Sequence, residues 1–492
     1  MSIQIFEVEI SVSASSVARG STVGCVSIGE GNSGAWVEDT APDGAAPGGI
    51  FGRGYRTITV GICALIVLSA FEALAVTTVM PTISTALNGA SLYALAFAGP
   101  LAAGVVGMVL AGNWSDRGGP RGSLYASVVL FVAGLAVVGT AHSMAVFLAG
   151  RLVEGLGAGA LTVALYVVVA RAYPPALHPQ IFAAFAASWV VPSLVGPVVA
   201  GLIAQTLGWR WVFLGVIGLV AIALAMVIPA MVRLRGSAEG AAVPWNVGRI
   251  GWSLLAAAAV LAVNLLADAK GWLLWIGPAA AAAIALLALR PLLPRHTLTA
   301  DAGLPSVILS RGLAAGAFFG ADVYIPYLLT VRYGFPPLAA GLSVTASGLT
   351  WAGGSWLQSH LGVRLSHVRS IQFGALALST AIVAACATAV LVLPPAVAIA
   401  GWAVAGFGMG LMYPRTSVAT LEYSSVEKQG FNSSALGIAD AIGASISLAA
   451  TAIVFSALAG LGGPWPFAGC FALTTLPAVA ALVLARRIGQ SQ

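Results

Sequence analysis

The sequence predicts an all-α integral membrane protein. Of its 492 residues, 59% are hydrophobic and only 8% are charged, and the mean hydropathy is +0.97. A soluble fold of this length could not bury that much apolar surface behind so few charged side chains. We therefore expect the lipid bilayer to be the solvent of most of the chain.

About fourteen apolar runs long enough to cross a bilayer follow one another from Thr57 to Ala485, separated by short polar or Gly/Pro breaks. Six runs precede a polar loop at 231–249, two shorter Ala/Leu-rich runs follow it, and six more complete the series. The two short runs, at 250–267 and 271–289, could instead lie along the membrane interface, which would leave twelve spans.

Charged residues predict the orientation of the chain. The first fifty or so residues are rich in Gly, Ser and Ala and lack the basic and apolar regions of a signal peptide, so we expect a flexible tail, dispensable or else regulatory. With this tail in the cytoplasm, about sixteen of the 22 Lys and Arg residues fall on the cytoplasmic side, against three outside. The prediction is a multi-pass cell-membrane protein with both termini cytoplasmic.

Several functions are excluded by what the sequence lacks. Its basic residues do not alternate with aromatic residues, so it has no nucleic-acid-stacking surface. It has no Gly-Lys pair, and therefore no phosphate-binding loop for ATP. It also has no nucleophile elbow, no zinc-ligand cluster and no polar loop that could house a catalytic domain. We expect no enzyme activity and no cofactor, and an ion gradient as the energy source.

The strongest motif is the loop after the second run. Its pattern is a glycine, an Asp-Arg pair, a second glycine and a basic residue: Gly112, Asp116, Arg117, Gly119 and Arg121. This pattern resembles the cytoplasmic motif of the major facilitator superfamily. The glycines would allow close helix approach, and the charges would pair across the two halves of the molecule. Pro120 replaces the usual first basic residue, which removes one such contact. The alternative is an ordinary basic cytoplasmic turn.

Glu72 lies inside the first run, in a stretch up to Pro81 that is similar to the acidic-to-proline segment of this superfamily. It is eleven residues from the outer end of its run, about 16 Å along a helix and close to the bilayer midplane. An ionised and unpaired carboxylate costs several kcal/mol there. We expect Glu72 to carry the coupled proton; the alternative is a structural carboxylate.

In the fourth run, Arg151 opens a glycine-rich segment, similar to the arginine motif of the superfamily, in which Glu154 stands where glutamine is more usual. Arg151 begins about 10 Å below the outer surface, so its side chain could reach Glu72 on a neighbouring helix. The alternative is an arginine that extends to the membrane interface.

The fifth run carries a segment that resembles the antiporter signature of the superfamily's exporters: Pro192, Gly196, Pro197 and Gly201. Gly196 is expected to permit close helix packing and Pro197 to bend the helix. Pro192 and Ala200 replace two of the usual glycines. Small-residue packing of the kind found in any membrane bundle is the alternative.

The second half has acidic residues of its own. Asp322 lies in the ninth run at a depth of about 15 Å, close to that of Glu72, and Asp440 lies in the thirteenth run nearer the cytoplasm. Pseudo-symmetric transporters place substrate and ion sites near the midplane, so both are proton-coupling candidates. Either could instead be structural.

Together these motifs identify the chain as similar to the fourteen-span drug:proton antiporter branch of the superfamily. The resemblance implies two pseudo-symmetric six-helix bundles, at 56–230 and 304–487, with a cytoplasmic loop and two extra helices between them at 231–303. The tails would be 1–55 and 488–492. It further implies export of a lipophilic or amphipathic compound by alternating access in exchange for protons. Separately, we expect a monomer. Export of an endogenous metabolite, lipid or siderophore, or a transport-inactive scaffold or receptor, are the alternatives.

Overall fold

A computed structural model describes residues 49–89, 92–233, 244–266 and 273–489. Most of the predicted N-terminal tail and of the polar loop at 231–249 therefore lie outside the described residues. Every regular element in the described ranges is helical. In the first half these are α1 Arg56–Ala86, α2 Tyr93–Gly118, α3 Pro120–Gly139, α4 Met144–Ala172, α5 His178–Thr206 and α6 Arg210–Arg233.

Two helices, α7 Val247–Leu266 and α8 Leu273–Leu289, connect this half to the next. The second half contains α9 Leu304–Asp322, α10 Tyr324–Tyr333, α11 Pro337–Leu361, α12 His367–Leu391, α13 Pro395–Glu422, α14 Gln429–Leu458 and α15 Trp465–Leu484. Only one residue separates α9 from α10, so together they form one broken span.

Within the described residues, eleven helical segments are long and apolar enough to cross a membrane, and α9 with α10 counts as one of them. Helices α7 and α8 contain shorter apolar segments. Helix α11 has 25 residues, a sufficient length, but it includes several Ser, Thr, Gln and His residues that lower its hydropathy. The count of fourteen spans remains a prediction.

The helices gather around two main apolar clusters. One is formed largely by α1 and α3 to α6, and the other by helices of the second half. A third cluster joins α2, α7, α8, α9 and α14, and so includes helices from both halves and from the linker. This distribution is consistent with two bundles joined through a linker.

Glycines allow the same close crossing in each half. A Cβ on Gly159 of α4 would lie 2.7 Å from a backbone carbon of Gly104 in α2, and a Cβ on Gly406 of α13 would lie 2.6 Å from the carbonyl carbon of Ser347 in α11. The fourth helix of each half is therefore pressed against the second. Small residues permit such contacts in membrane bundles, where dispersion forces favour close approach.

Candidate functional site

Three ionisable side chains meet inside the first half. Glu72 of α1, Arg151 of α4 and Glu154, one turn further along α4, are only 4%, 5% and 2% exposed. Arg151 Nη1 contacts Oε1 of Glu72 and Oε2 of Glu154. Its Nε donates to the carbonyl oxygen of Ala96 in α2, at 3.4 Å. One guanidinium thus lies between two carboxylates.

Packing explains why Glu154 lies so close. A Cβ on Gly134 of α3 would lie 2.5 Å from both Cα and Cβ of Glu154. Because a side chain there is absent, α3 approaches α4 closely and encloses the carboxylate. The sequence shows Glu154 in place of the usual glutamine. It did not predict that Glu154 would join the pair formed by Arg151 and Glu72.

Asp322 lies where the ninth span breaks. Pro326 has no N–H to donate to the carbonyl of Asp322, four residues earlier, and its ring disfavours a continuous helix at that point. Helix α9 accordingly ends at Asp322 and α10 begins at Tyr324. Oδ1 of Asp322 accepts a hydrogen bond from Nε1 of Trp402 in α13, at 2.7 Å.

The two halves repeat this arrangement with different donors. Trp402 and Arg151 each lie seven residues after the first residue of their helix, the fourth of its half. Each of them donates to an acidic residue in the first helix of the same half. The acid of the first half has a fixed cation as its partner, whereas Asp322 has a neutral indole.

Asp440 has a fixed cation of its own. Its Oδ1 accepts from Nε of Arg311 at 2.8 Å and from the hydroxyl of Tyr413 at 2.8 Å. Arg311 also donates to the carbonyl oxygen of Tyr413 and to Oγ1 of Thr416, each at 3.0 Å. Its guanidinium carbon lies 3.4 Å from the centre of the Tyr413 ring. These contacts favour the structural role for Asp440.

The sequence interpretation missed Arg311. The signal was present, since an arginine inside an apolar run is costly without a partner and an acid stood in a later run. The sequence could not show which acid it would meet.

Aromatic rings connect the two acidic sites of the second half. Phe318 stacks on Trp402 with ring centres 5.1 Å apart and meets Trp351 edge-on at 5.3 Å. Trp351 in turn meets Tyr413 edge-on at 4.9 Å. These rings form a packed, apolar and polarisable part of the core beside both carboxylates.

Asp116 joins the two halves at one end of the molecule, where α2 finishes and α14 begins; we call this the Asp116 end. Its Oδ1 and Oδ2 accept from the backbone N–H groups of Gly430 and Phe431, at 2.6 and 2.8 Å. A Cβ on Gly112 would lie 2.6 Å from the carbonyl oxygen of Gly430. A carboxylate here accepts hydrogen bonds from N–H groups that have no partner within α14, and it is stabilised by the positive N-terminal end of the helix dipole.

The basic residues of this motif lie elsewhere. Arg117 is exposed, and the guanidinium of Arg121 lies 5.7 Å from the ring centre of Tyr125 in its own helix. Gly119 has φ of +77°, a conformation suited to glycine, in the turn between α2 and α3. The charges of this motif were expected to pair with charges of the other half. In the structure Asp116 instead accepts hydrogen bonds from backbone N–H groups of the other half.

Further bonds at the same end were not predicted. Arg171, at the end of α4, donates to Oε1 of Gln429 at 3.0 Å and to the carbonyl oxygen of Val426 at 2.9 Å. Gln358 of α11 donates to the carbonyl oxygen of Pro179 in α5, at 3.3 Å. Among the described residues, all five side-chain hydrogen bonds between the two halves lie at the Asp116 end. That end is closed in this conformation.

The antiporter-like segment lies in α5, which remains one helix through Pro192 and Pro197. A Cβ on Gly196 would lie 3.6 Å from Phe71, and one on Gly201 would lie 3.9 Å from Thr78. Both are ordinary contact distances, so the helices do not approach unusually closely at Gly196 in this conformation. The segment nevertheless faces α1, the helix that carries the first buried acid.

A polytopic helical protein with ion pairs buried between its helices and one closed end has the character of a secondary transporter. Residues 62–448 match the sequence model of the Major Facilitator Superfamily. The chain belongs to this family, and it is a transporter rather than an enzyme.

Named relatives agree with this assignment. An uncharacterized transporter of Schizosaccharomyces pombe is 33% identical over 153 residues, which are 31% of this chain and 26% of that protein. The match thus spans about a quarter of that relative's length. A probable multidrug-efflux transporter of Mycobacterium tuberculosis is 28% identical over 364 residues, 70% of this chain and 75% of that protein.

The fold is shared with solved transporters. The human organic anion transporter TETRAN superposes with a TM-score of 0.62 at 16% identity, over 87% of this chain and 99% of that one. At this identity the likeness concerns the fold alone.

Proposed function

We propose that this protein is a proton-coupled antiporter that exports lipophilic or amphipathic compounds across the cell membrane by alternating access. In this proposal its helices form fourteen spans, both termini face the cytoplasm and the unit is a monomer. The observation that carries it is the buried cluster of Glu72, Arg151 and Glu154.

Charge counting explains why this cluster suits a proton. With both carboxylates ionised, the three groups carry a net charge of −1 in surroundings where an uncompensated charge is costly. One bound proton makes the cluster neutral without breaking either contact of Arg151. The other charged side chains in the described helices of this half lie near helix ends, such as Arg56, Arg171 and Arg210. They are therefore too far away to balance the cluster, and its net charge changes by one when it binds or releases a proton.

Asp322 is the second candidate. Within the described residues its partner is the neutral indole of Trp402, and no cation neutralises its charge. A proton or a cationic cargo could do so, because Asp322 is only partly buried. Asp440 is less suited to this role because Arg311 already balances it.

The closed Asp116 end, cytoplasmic in the predicted orientation, is as expected of an outward-facing state of an alternating-access transporter. Export is supported by two further observations. The antiporter-like segment faces α1, and the mycobacterial relative is named as a multidrug-efflux transporter. The energy is sufficient, since one proton moving down 100 mV releases about 2.3 kcal/mol, whereas a tenfold gradient of a neutral cargo costs about 1.4 kcal/mol.

The test uses the full chain reconstituted in sealed vesicles with entrapped DNA, which reports ethidium entry by fluorescence. A pH gradient is imposed, with the membrane potential clamped by potassium and an ionophore. We expect gradient-driven uptake by the parent and its loss in Glu72→Gln. Exchange of labelled for unlabelled ethidium without a gradient should persist in the variant, because cargo exchange needs no net proton movement.

The matched control is Asp301→Asn, which removes an exposed carboxylate in the loop before α9, outside the cluster. It should leave the gradient response intact. Gradient-driven uptake by Glu72→Gln equal to that of the parent would refute coupling through Glu72. No uptake by the parent would instead favour a narrow endogenous cargo or the scaffold alternative.

A further inference from the structure

The linker helices pack against both halves of the transporter. Val109 of α2, Ala256 of α7, Leu289 of α8 and Leu436 of α14 are all buried in one apolar cluster. Helix α2 belongs to the first half and α14 to the second. The linker therefore covers the boundary that must open if the Asp116 end opens.

The start of α7 contacts both sides of this boundary through specific side chains. The ring of Trp245, just before α7, meets that of Trp114 in α2 edge-on, with centres 6.3 Å apart. The guanidinium carbon of Arg249 lies 3.8 Å from the ring centre of Phe431 in α14. Phe431 is the residue whose N–H donates to Asp116.

Arg249 is held in place for this contact. Its backbone N–H donates to Oδ1 of Asn246 at 3.0 Å, which fixes the first turn of α7. It is half-buried, whereas Val247 and Gly248 beside it are exposed. A guanidinium within about 6 Å of a ring centre is attracted to the face of the ring, more strongly where water is excluded.

We infer that α7 is a brace that stabilises the closed Asp116 end, with Arg249 as the positioning residue that holds the start of α14 against Asp116. When α2 and α14 separate, the short segment from Trp245 to Arg249 cannot keep both of its contacts. The brace thus favours the closed state over the open one. Arg249 also supplies a cation beside the start of α14. The motif that contains Asp116 has one basic residue fewer than usual, because Pro120 replaces it.

This inference rests on the alternating access proposed above, but its test does not require transport. The four natural cysteines are replaced and Ser434 is changed to cysteine in the full chain. Ser434 is 3% exposed and lines a cavity of about 10 Å³ between α2, α7 and α14, which leaves room for a sulfur atom. The rate at which a membrane-permeant maleimide labels this cysteine measures how often the Asp116 end opens.

Arg249→Gln should raise the labelling rate about tenfold, the factor expected for loss of one partly desolvated cation–π contact. Arg249→Lys keeps a cation and should label at close to the parental rate. Arg290→Gln, which removes an exposed arginine just after α8, is the matched control and should have no effect.

Asp116→Asn serves as the positive control for opening. If it accelerates labelling while Arg249→Gln does not, the brace is refuted and the role of Asp116 in closing this end stands. If neither variant accelerates labelling, both the brace and the role of Asp116 in closing this end are refuted. Equal acceleration by Arg249→Gln and Arg249→Lys would contradict the requirement for a cation.

Discussion

Replacing Asp116 by asparagine should loosen the contact between the halves without unfolding either of them. The side chain of Asp116 accepts two backbone N–H groups of α14, at 2.6 and 2.8 Å, and the shape of asparagine is nearly the same. The change removes the negative charge, and it replaces one acceptor oxygen by an NH₂ group that can only donate. Gly430 or Phe431 must therefore lose its acceptor.

The size of the effect follows from these two bonds. A hydrogen bond to a charged group contributes about 1.5–3 kcal/mol, and one between neutral groups about 1 kcal/mol. Losing one of these bonds by itself should cost about 1.5–3 kcal/mol, and the weakening of the other bond and the loss of the favourable charge at the helix N-terminus add to this minimum. That range corresponds to roughly tenfold to a hundredfold in the ratio of closed to open states.

Labelling of a cysteine placed at position 434, as described above, measures this ratio, because Ser434 is 3% exposed and becomes accessible when that end opens. Hydrogen exchange at Gly430 and Phe431 would not measure it, since one of these N–H groups loses its acceptor in the variant even while the end is closed. In the Ser434→Cys background we expect labelling to accelerate about tenfold or more in Asp116→Asn. Asp301→Asn, in an exposed loop, is the control. Unchanged labelling with normal transport would refute the role of Asp116 in closing this end.

Two further predictions concern the interior. Gly159→Ala would force a methyl group into the backbone of Gly104, so the midpoint of thermal unfolding in lipid nanodiscs should fall, by the equivalent of about 1–3 kcal/mol. Gly201→Ala is the control, because a Cβ there has ordinary room, and it should leave the midpoint unchanged. Equal effects of the two variants would show that the crossing of α4 and α2 is not tight. Trp402→Phe keeps a ring on Phe318 but removes the N–H bonded to Asp322, so gradient-driven ethidium uptake should fall several-fold. Because Trp402 is fully buried, the smaller ring also leaves a cavity, and thermal stability should fall by the equivalent of about 1–3 kcal/mol. Normal uptake by the folded variant would show that this bond is not used.

Local sequence determined most of the fold. Apolar runs of about 20 residues leave the backbone no alternative to helices in lipid, since each N–H and C=O must be bonded within its own segment. The position of Asp116 after the second run and that of Glu72 within the first were likewise readable as motifs. These features depend on residues close together in the chain, which is why pattern and spacing were sufficient.

The sequence does not reveal which side chains the buried acidic residues contact. Nothing in the sequence around Asp440 shows that Arg311, 129 residues away, balances it. Nor does the sequence around Asp322 show that a tryptophan rather than a cation is its donor. Both outcomes depend on which helix faces meet, and in this chain the apolar residues surround most helices and give each of them little directional preference.

The sequence alone thus determined that the protein is a bundle of membrane-spanning helices with a few costly internal charges, and it located most of those charges. Only the tertiary structure decided which are balanced. It grouped Glu72 and Glu154 around one arginine, paired Asp440, left Asp322 with a neutral donor, and brought Arg249 of the linker to the start of α14. The physical reason is that a buried charge has a cost that local sequence reveals, whereas its compensation comes from helices far away in the chain.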